Sequence, residues 1–181
     1  GLVGFFGYDM VRFIENIPDE NRDTLKSPDS VFMLTDTILI FDHVDHKIKV
    51  VSNAYVKDSA SGSYDEAVRK IDSIIRALSS GHHKKEAKPV PVKHSGPAIN
   101  LKSNFTKAEF EAAVKKAKAY IRKGDIIQVV LSQRLETPVK SHPFEIYRAL
   151  RSINPSPYMY YLKLKDFCLV GSSPEIMVRC E

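Results

Sequence analysis

The stretch Asn154–Glu175, NPSPYMYYLKLKDFCLVGSSPE, decides how the rest of the chain is read. Pro155 and Pro157 each fix φ and push the preceding residues, Asn154 and Ser156, toward extended geometry, so the turn they make is stiff. Tyr158 to Leu164 then reads as a strand, Lys165 and Asp166 as a turn, and Phe167 to Val170 as the return strand, with the hairpin ending at Gly171. The Gly-Ser-Ser-Pro run bends the chain sharply and predicts Glu175 at the mouth of a sheet rather than on a solvated helix face. Taken alone, the segment is equally an ordinary hairpin followed by a surface carboxylate.

Upstream, Pro143 to Ile153 reads as a helix that starts with proline, where proline is tolerated. A further helix begins at Thr106. Thr106 and Glu109 make a capping box, Phe105 can staple to Phe110, and Gly124 closes the helix. Its apolar stripe is Phe110, Ala113, Val114, Ala117, Tyr120 and Ile121. Between these helices, Ile126 to Leu135 reads as a strand. Its alternation puts Ile127, Val129 and Leu131 on one side and Gln128, Ser132 and Arg134 on the other.

The first half repeats the mixture. Leu2 to Phe6 is a short strand leading into a helical turn over Tyr8–Glu15, which Pro18 ends. After a polar loop, Val31–Phe41 and Ile48–Val56 form a hairpin around Asp42–Lys47. A long amphipathic helix follows, with Ser63 and Glu66 as its capping box and Gly81 as its stop. Residues 81–100 are basic, contain Pro89, Pro91 and Pro97, and read as a linker. Antiparallel strands with helices between them, lacking regular βαβ alternation, predict an α+β fold.

Composition narrows the function classes. The 181 residues are 43% hydrophobic and 27% charged, which suits a soluble globular chain with one core. No apolar run approaches the roughly 18 residues of a membrane span, and the start lacks a signal pattern, so the expected location is cytoplasmic. The net charge of +5 raises nucleic acid as a partner. The basic residues are dispersed, however, and lack interleaved aromatics, so they read as a solvated face or as an attraction for an anionic substrate. Cys168 and Cys180 show no ligand spacing. His43 and His46 bracket a turn, and His82 and His83 sit in the linker, where solvated loop histidines are the simpler account than a metal site.

Four segments, in this order, resemble the chorismate-utilising enzymes, and among them the large, aminating subunits of anthranilate synthase. They are GFFGYDMVRFIE at Gly4–Glu15, FTKAEF at Phe105–Phe110, GDIIQVVLSQR at Gly124–Arg134, and the Asn154–Glu175 stretch. The resemblance implies antiparallel sheets packed face to face with outer helices, and an internal piece of an enzyme more than twice as long. The family's magnesium-binding glutamates, its catalytic histidine and its Leu-Leu-Glu-Ser motif would lie outside the chain, the first two beyond Glu181. The implied partners are chorismate, a glutamine amidotransferase subunit that supplies ammonia, and tryptophan as feedback inhibitor.

The same resemblance assigns roles. Relatives that add water to chorismate carry a lysine where this chain has Gln128, and a neutral amide offers no basic nitrogen to activate water. Gln128 therefore points to amination. Glu175 matches the glutamate that protonates the departing C4 hydroxyl, a task needing a carboxyl kept protonated by burial or nearby negative charge. Ser132 and Arg134 fall to substrate binding. Asn154, Pro155, Ser156, Pro157, Tyr158 and Met159, supported by Tyr160 and Gly171, match the tryptophan site. Two other readings stand beside this one: the large subunit of aminodeoxychorismate synthase, and a non-catalytic module that binds an aromatic amino acid.

Overall fold

The computed structural model describes residues 1–81 and 99–180. The chain divides into two compact units, Gly1–Pro89 and Val90–Glu181. The linker expected over residues 81–100 lies, from 82 to 98, outside the described residues.

In the first unit, β1 (Leu2–Phe6) pairs antiparallel with β2 (Ser30–Leu34), placing Gly4 opposite Phe32. The Phe6 and Phe32 rings meet edge to face at 4.8 Å. A 3-10 helix over Tyr8–Phe13 follows β1, where the helical turn was expected. Arg12 holds this turn to the loop after it: Nε lies 2.8 Å from Asp9, Nη2 lies 3.3 Å from Asp19, and Nη1 donates to the Pro18 carbonyl.

The predicted hairpin from Val31 to Val56 is two ladders instead of one. β2 ends at Leu34, and β3 (Thr37–Asp42) pairs with β4 (Lys47–Ser52). The change of partner falls at Thr35 and Asp36. Thr35 donates from both its amide and its hydroxyl to the Gly1 carbonyl, while the Asp36 carbonyl accepts from Asn53. Each ladder thus uses up the backbone groups that a single long strand would have offered to one partner. The β3–β4 turn is held by Asp42, whose carboxylate accepts from the amides of Val44 and Asp45 and from Lys49 at 2.6 Å. Lys49 first, then the amides, hold the Asp42 carboxyl below its usual range.

Helix α1 (Ala60–Ser79) packs on β4. Its cap is Ser59, which accepts from the Gly62 amide at 3.3 Å, and not the expected Ser63. The Ser63 amide itself donates to the Ser59 carbonyl. The Ser-Ala-Ser-Gly-Ser run contains no proline, and Gly62 costs only about 1 kcal/mol, so propagation continues back to an earlier serine of equal capping ability. Gly81, at φ 53°, follows the end of the helix as expected. Lys70 on α1 reaches Asp36 at 2.9 Å and Glu66 at 3.2 Å.

In the second unit, α2 (Lys107–Lys123) carries the full Thr106–Glu109 capping box and ends at Gly124 with φ 82°. Phe105 and Phe110 pack edge to face at 6.1 Å. β5 (Lys102–Ser103) pairs with β6 (Leu135–Glu136), and β7 (Tyr158–Lys163) with β8 (Cys168–Ser173). Helix α3 (Pro143–Ile153) has proline in its first turn and packs on β7 and β8. Three rings join α3 to β7, with Phe144–Tyr147 at 5.8 Å, Phe144–Tyr161 at 5.3 Å and Tyr147–Tyr161 at 6.0 Å. Such pairs contribute about 0.5–1.5 kcal/mol each beyond the area they bury.

Two expectations are corrected here. The hairpin runs on through Gly171 to Ser173, because Gly171 pairs with Tyr160 and both serines continue the ladder. The strand expected over Ile126–Leu135 is paired only from Leu135 to Glu136. Alternation marks a segment fit for a sheet, but a strand exists only where a neighbour accepts its hydrogen bonds. Ile127 is 97% exposed and Val129 and Leu131 are only partly covered, so the side expected to pack is not buried. The core is correspondingly thin. Among the described residues only Ala67 in the first unit and Leu164 in the second, each 7% exposed, are buried hydrophobic residues.

Candidate functional site

The turn between α3 and β7 is the best-organised candidate. Asn154 ends α3, with its amide on the Leu150 carbonyl at 2.8 Å, and has φ −136° and ψ 68°, outside both helix and strand. Its carbonyl accepts from the Ser172 hydroxyl at 2.8 Å. The Ser156 hydroxyl donates to the Ser173 carbonyl and accepts from the Tyr158 amide at 3.4 Å, so both of its hydrogen-bonding capacities are used. Pro155 and Pro157 stiffen the turn, and two serines at the end of β8 fasten it.

The register then distributes the remaining residues. Residues opposite each other on an antiparallel pair share a face. Tyr158 faces with Ser173, Tyr160 with Gly171, and Met159 with Ser172. Met159 is half-buried on the side where Tyr161 meets α3, whereas Tyr158 and Tyr160 project from the other side. A single ligand at the turn therefore meets its backbone and one face of the hairpin, not all three side chains together. Gly171 has a specific reason to be glycine: the Tyr160 ring lies across it, and a Cβ there would overlap the ring.

The residues expected to act on chorismate are less confined. Gln128 and Ser132 are exposed on the unpaired segment, and Glu175 is exposed in the bend after β8. Ser173 donates through Oγ to the Glu175 carbonyl at 3.0 Å. Arg134 is half-buried. Its Nε stands 2.8 Å from the Glu136 carboxylate, yet the N–H is not aimed at it, so this buried atom has an ion-pair neighbour without a hydrogen bond. The Arg134 backbone is anchored on both sides of Asn104, its amide to Oδ1 and its carbonyl from the amide. No ladder joins β6 to β8 among the described residues, so Gln128 and Glu175 are not borne on neighbouring strands.

The two clefts described lie in the first unit. The larger, of about 860 Å³, is lined by Asp36, Tyr55, Ser59, Ser63, Glu66 and Lys70 among others, and includes none of the residues above. Lys70 holds the Asp36 carboxyl below its ordinary value, chiefly through their hydrogen bond, and Lys70 is itself raised by Asp36 and Glu66. Among the described residues no group of three or more His, Cys, Asp or Glu side chains is placed to hold a metal ion, and the magnesium ligands that the resemblance implies are expected beyond Glu181. Cys168 and Cys180 are free thiols; Cys168 is half-buried beside the Tyr161 hydroxyl at 3.6 Å. That bond to Cys168, followed by desolvation, raises the Tyr161 phenol. No helix among the described residues is long and apolar enough to cross a membrane.

Sequence reasoning missed Ser172 and Ser173 as functional candidates. Their signal was the Gly-Ser-Ser-Pro run itself, read as a bend when its hydroxyls belong to the strand end that grips the turn.

Comparison with known proteins gives the family and the fold. Anthranilate synthase component 1 of Acetivibrio thermocellus is 44% identical over 182 residues, covering all of this chain and 37% of that protein. Its counterpart from Aquifex aeolicus is also 44% identical, with 36% of its length covered. The crystal structure of anthranilate synthase component I from Streptococcus pneumoniae superposes with a TM-score of 0.72 at 31% identity, over 97% of this chain and 38% of that one. The α+β arrangement with small antiparallel sheets is thus that protein's fold, and this chain spans little more than a third of such relatives. The profile of the chorismate binding enzymes matches residues 1–181 throughout, and the chain belongs to that family.

Proposed function

We propose that the chain is the part of an anthranilate synthase large component that carries its inhibitory amino-acid turn together with two residues of the aminating site. The whole enzyme would convert chorismate and ammonia to anthranilate and pyruvate, with ammonia from a glutamine amidotransferase partner. The observation that carries this reading is the fastened Asn154–Pro157 turn, in a chain whose 181 residues are 44% identical to 37% of the Acetivibrio thermocellus anthranilate synthase component 1. A turn held by its own backbone can present polar groups to the ammonium and carboxylate of tryptophan, while neighbouring apolar side chains enclose the indole.

In the aminating step, a bond forms between ammonia nitrogen and C2 of chorismate as the C4–oxygen bond breaks. The ring double bonds would shift from C2 toward C4, Glu175 would give its proton to the departing hydroxyl, which leaves as water, and the added nitrogen would release its surplus proton to solvent. The two carboxylates of bound chorismate would supply the negative surroundings that keep such a carboxyl protonated. Gln128 would stand beside the nucleophile as a neutral amide, unable to generate hydroxide from water. Ser132 and Arg134 would bind the substrate. The magnesium ligands belong to parts of the enzyme outside the residues described.

The test is Gln128→Lys in the full-length enzyme. The expected outcome is a loss of ammonia-dependent anthranilate formation of at least about tenfold, with a chorismate hydration product appearing in its place. Unchanged amination would remove the role given to Gln128. A second reading, a module that binds an aromatic amino acid without chemistry, is favoured by one observation: the turn is braced in this chain while Gln128 and Glu175 lie on separate, exposed segments. Saturable binding of tryptophan to the 181-residue chain alone, followed by calorimetry, would support it.

A further inference from the structure

We infer that Ser172 is a positioning residue that couples the amino-acid turn to the Glu175 segment; this rests on the proposed role of the turn and names how that site regulates. The two ends of the path are joined by hydrogen bonds, not by proximity alone. Ser172 Oγ holds the Asn154 carbonyl at 2.8 Å, and the Ser156 hydroxyl holds the carbonyl of the next residue, Ser173. Ser173 Oγ in turn holds the Glu175 carbonyl at 3.0 Å. Ser172 thus holds the turn, and Ser173, its neighbour in the chain, faces the turn with its carbonyl and the Glu175 bend with its hydroxyl.

The local geometry makes this linkage mechanical. Asn154 sits between the last hydrogen bond of α3 and the bond to Ser172, in a backbone conformation that belongs to no regular element. A ligand that engages the turn's backbone draws on the same carbonyl that Ser172 holds. The strand end then shifts with it, because Met159 and Ser172 are locked in register. Ser173 passes the shift to Glu175 two residues later. An inhibitor at the turn and a substrate at Glu175 are in this way two ligands that bias one element, and their coupling is reciprocal.

The experiment compares full-length wild-type enzyme with Ser172→Ala and Ser172→Thr, measuring tryptophan binding by calorimetry and chorismate KM with and without saturating tryptophan. Loss of one neutral hydrogen bond should cut the tryptophan-induced change in KM about fivefold in the alanine variant. The threonine variant, which keeps a hydroxyl, should retain it, and kcat and KM without tryptophan should be unchanged in both. Wild-type coupling in Ser172→Ala, equal loss in both variants, or a fall in kcat without tryptophan would each overturn the inference while leaving the turn as the binding site. If tryptophan binding survives both Met159→Ala and Tyr158→Ala unaltered, or is absent in the wild type, the site reading fails and the inference falls with it.

Discussion

Gly171 and Tyr160 form a pair in which the absence of a side chain is the functional property. The ring rests across the strand because nothing stands between them, and at 45% exposure it has solvent to move into. Gly171→Ala should therefore turn the ring outward without breaking β8. The expected cost is about 1 kcal/mol, read as a lower denaturant midpoint with an unchanged slope, because only the ring is displaced. A cost of several kcal/mol would mean that the backbone had yielded instead. The position was marked in the sequence as the end of a hairpin and, through the family resemblance, as a support of the tryptophan site. Its actual constraint, an aromatic ring from the opposite strand, depends on register, which the residues around Gly171 do not encode by themselves.

Helix α2 is the element most completely specified by its own residues. Thr106 accepts from the Glu109 amide, the Glu109 carboxylate accepts from the Thr106 amide at 2.8 Å, and Gly124 adopts the left-handed conformation that ends the helix. Thr106→Ala should cost about 1 kcal/mol in thermal or denaturant unfolding. The Glu109 carboxyl lies below its ordinary value, first through the Thr106 amide and then through its hydroxyl. A depressed carboxyl contributes stability that is present above its unfolded value of 4.5 and is lost as pH falls through the folded one. Glu109→Gln should accordingly flatten the acid limb of a stability profile below that pH. These features were legible because a cap is decided within four residues. The same holds for the proline start of α3 and for the Lys165–Asp166 turn. The strand over Ile126–Leu135 was not legible in this way, since alternation reports fitness for a sheet and says nothing about who supplies the neighbouring backbone. The split at Thr35 and Asp36 was missed for the same reason: its cause is Gly1, far away in sequence.

At the scale of the molecule, much apolar side-chain surface meets solvent. Ile127, Val130 at 82% exposure and Met177 are prominent in the second unit, as are Leu2, Leu34 and Phe41 in the first. The 181-residue chain in isolation should enhance ANS fluorescence strongly at neutral pH, and the full-length enzyme, at equal molarity, should not. Equal dye binding by the two would show that these groups are not covered in the whole protein. Of the candidate site, the stiff turn was legible as geometry, because its prolines fix it locally, whereas Gln128 and Glu175 lie on separate exposed segments that no local pattern brings together. One further consequence lies in the sheets. With every ladder only two strands wide, each described strand has an unpaired flank, and none is sheltered in an interior position. Such flanks accept any extended peptide that offers a matching row of amides and carbonyls, including another copy of the same segment. Anyone handling this stretch by itself should expect fibrillar association as its main failure. Lysine or proline placed along those flanks, with the packing residues left alone, is the corresponding remedy.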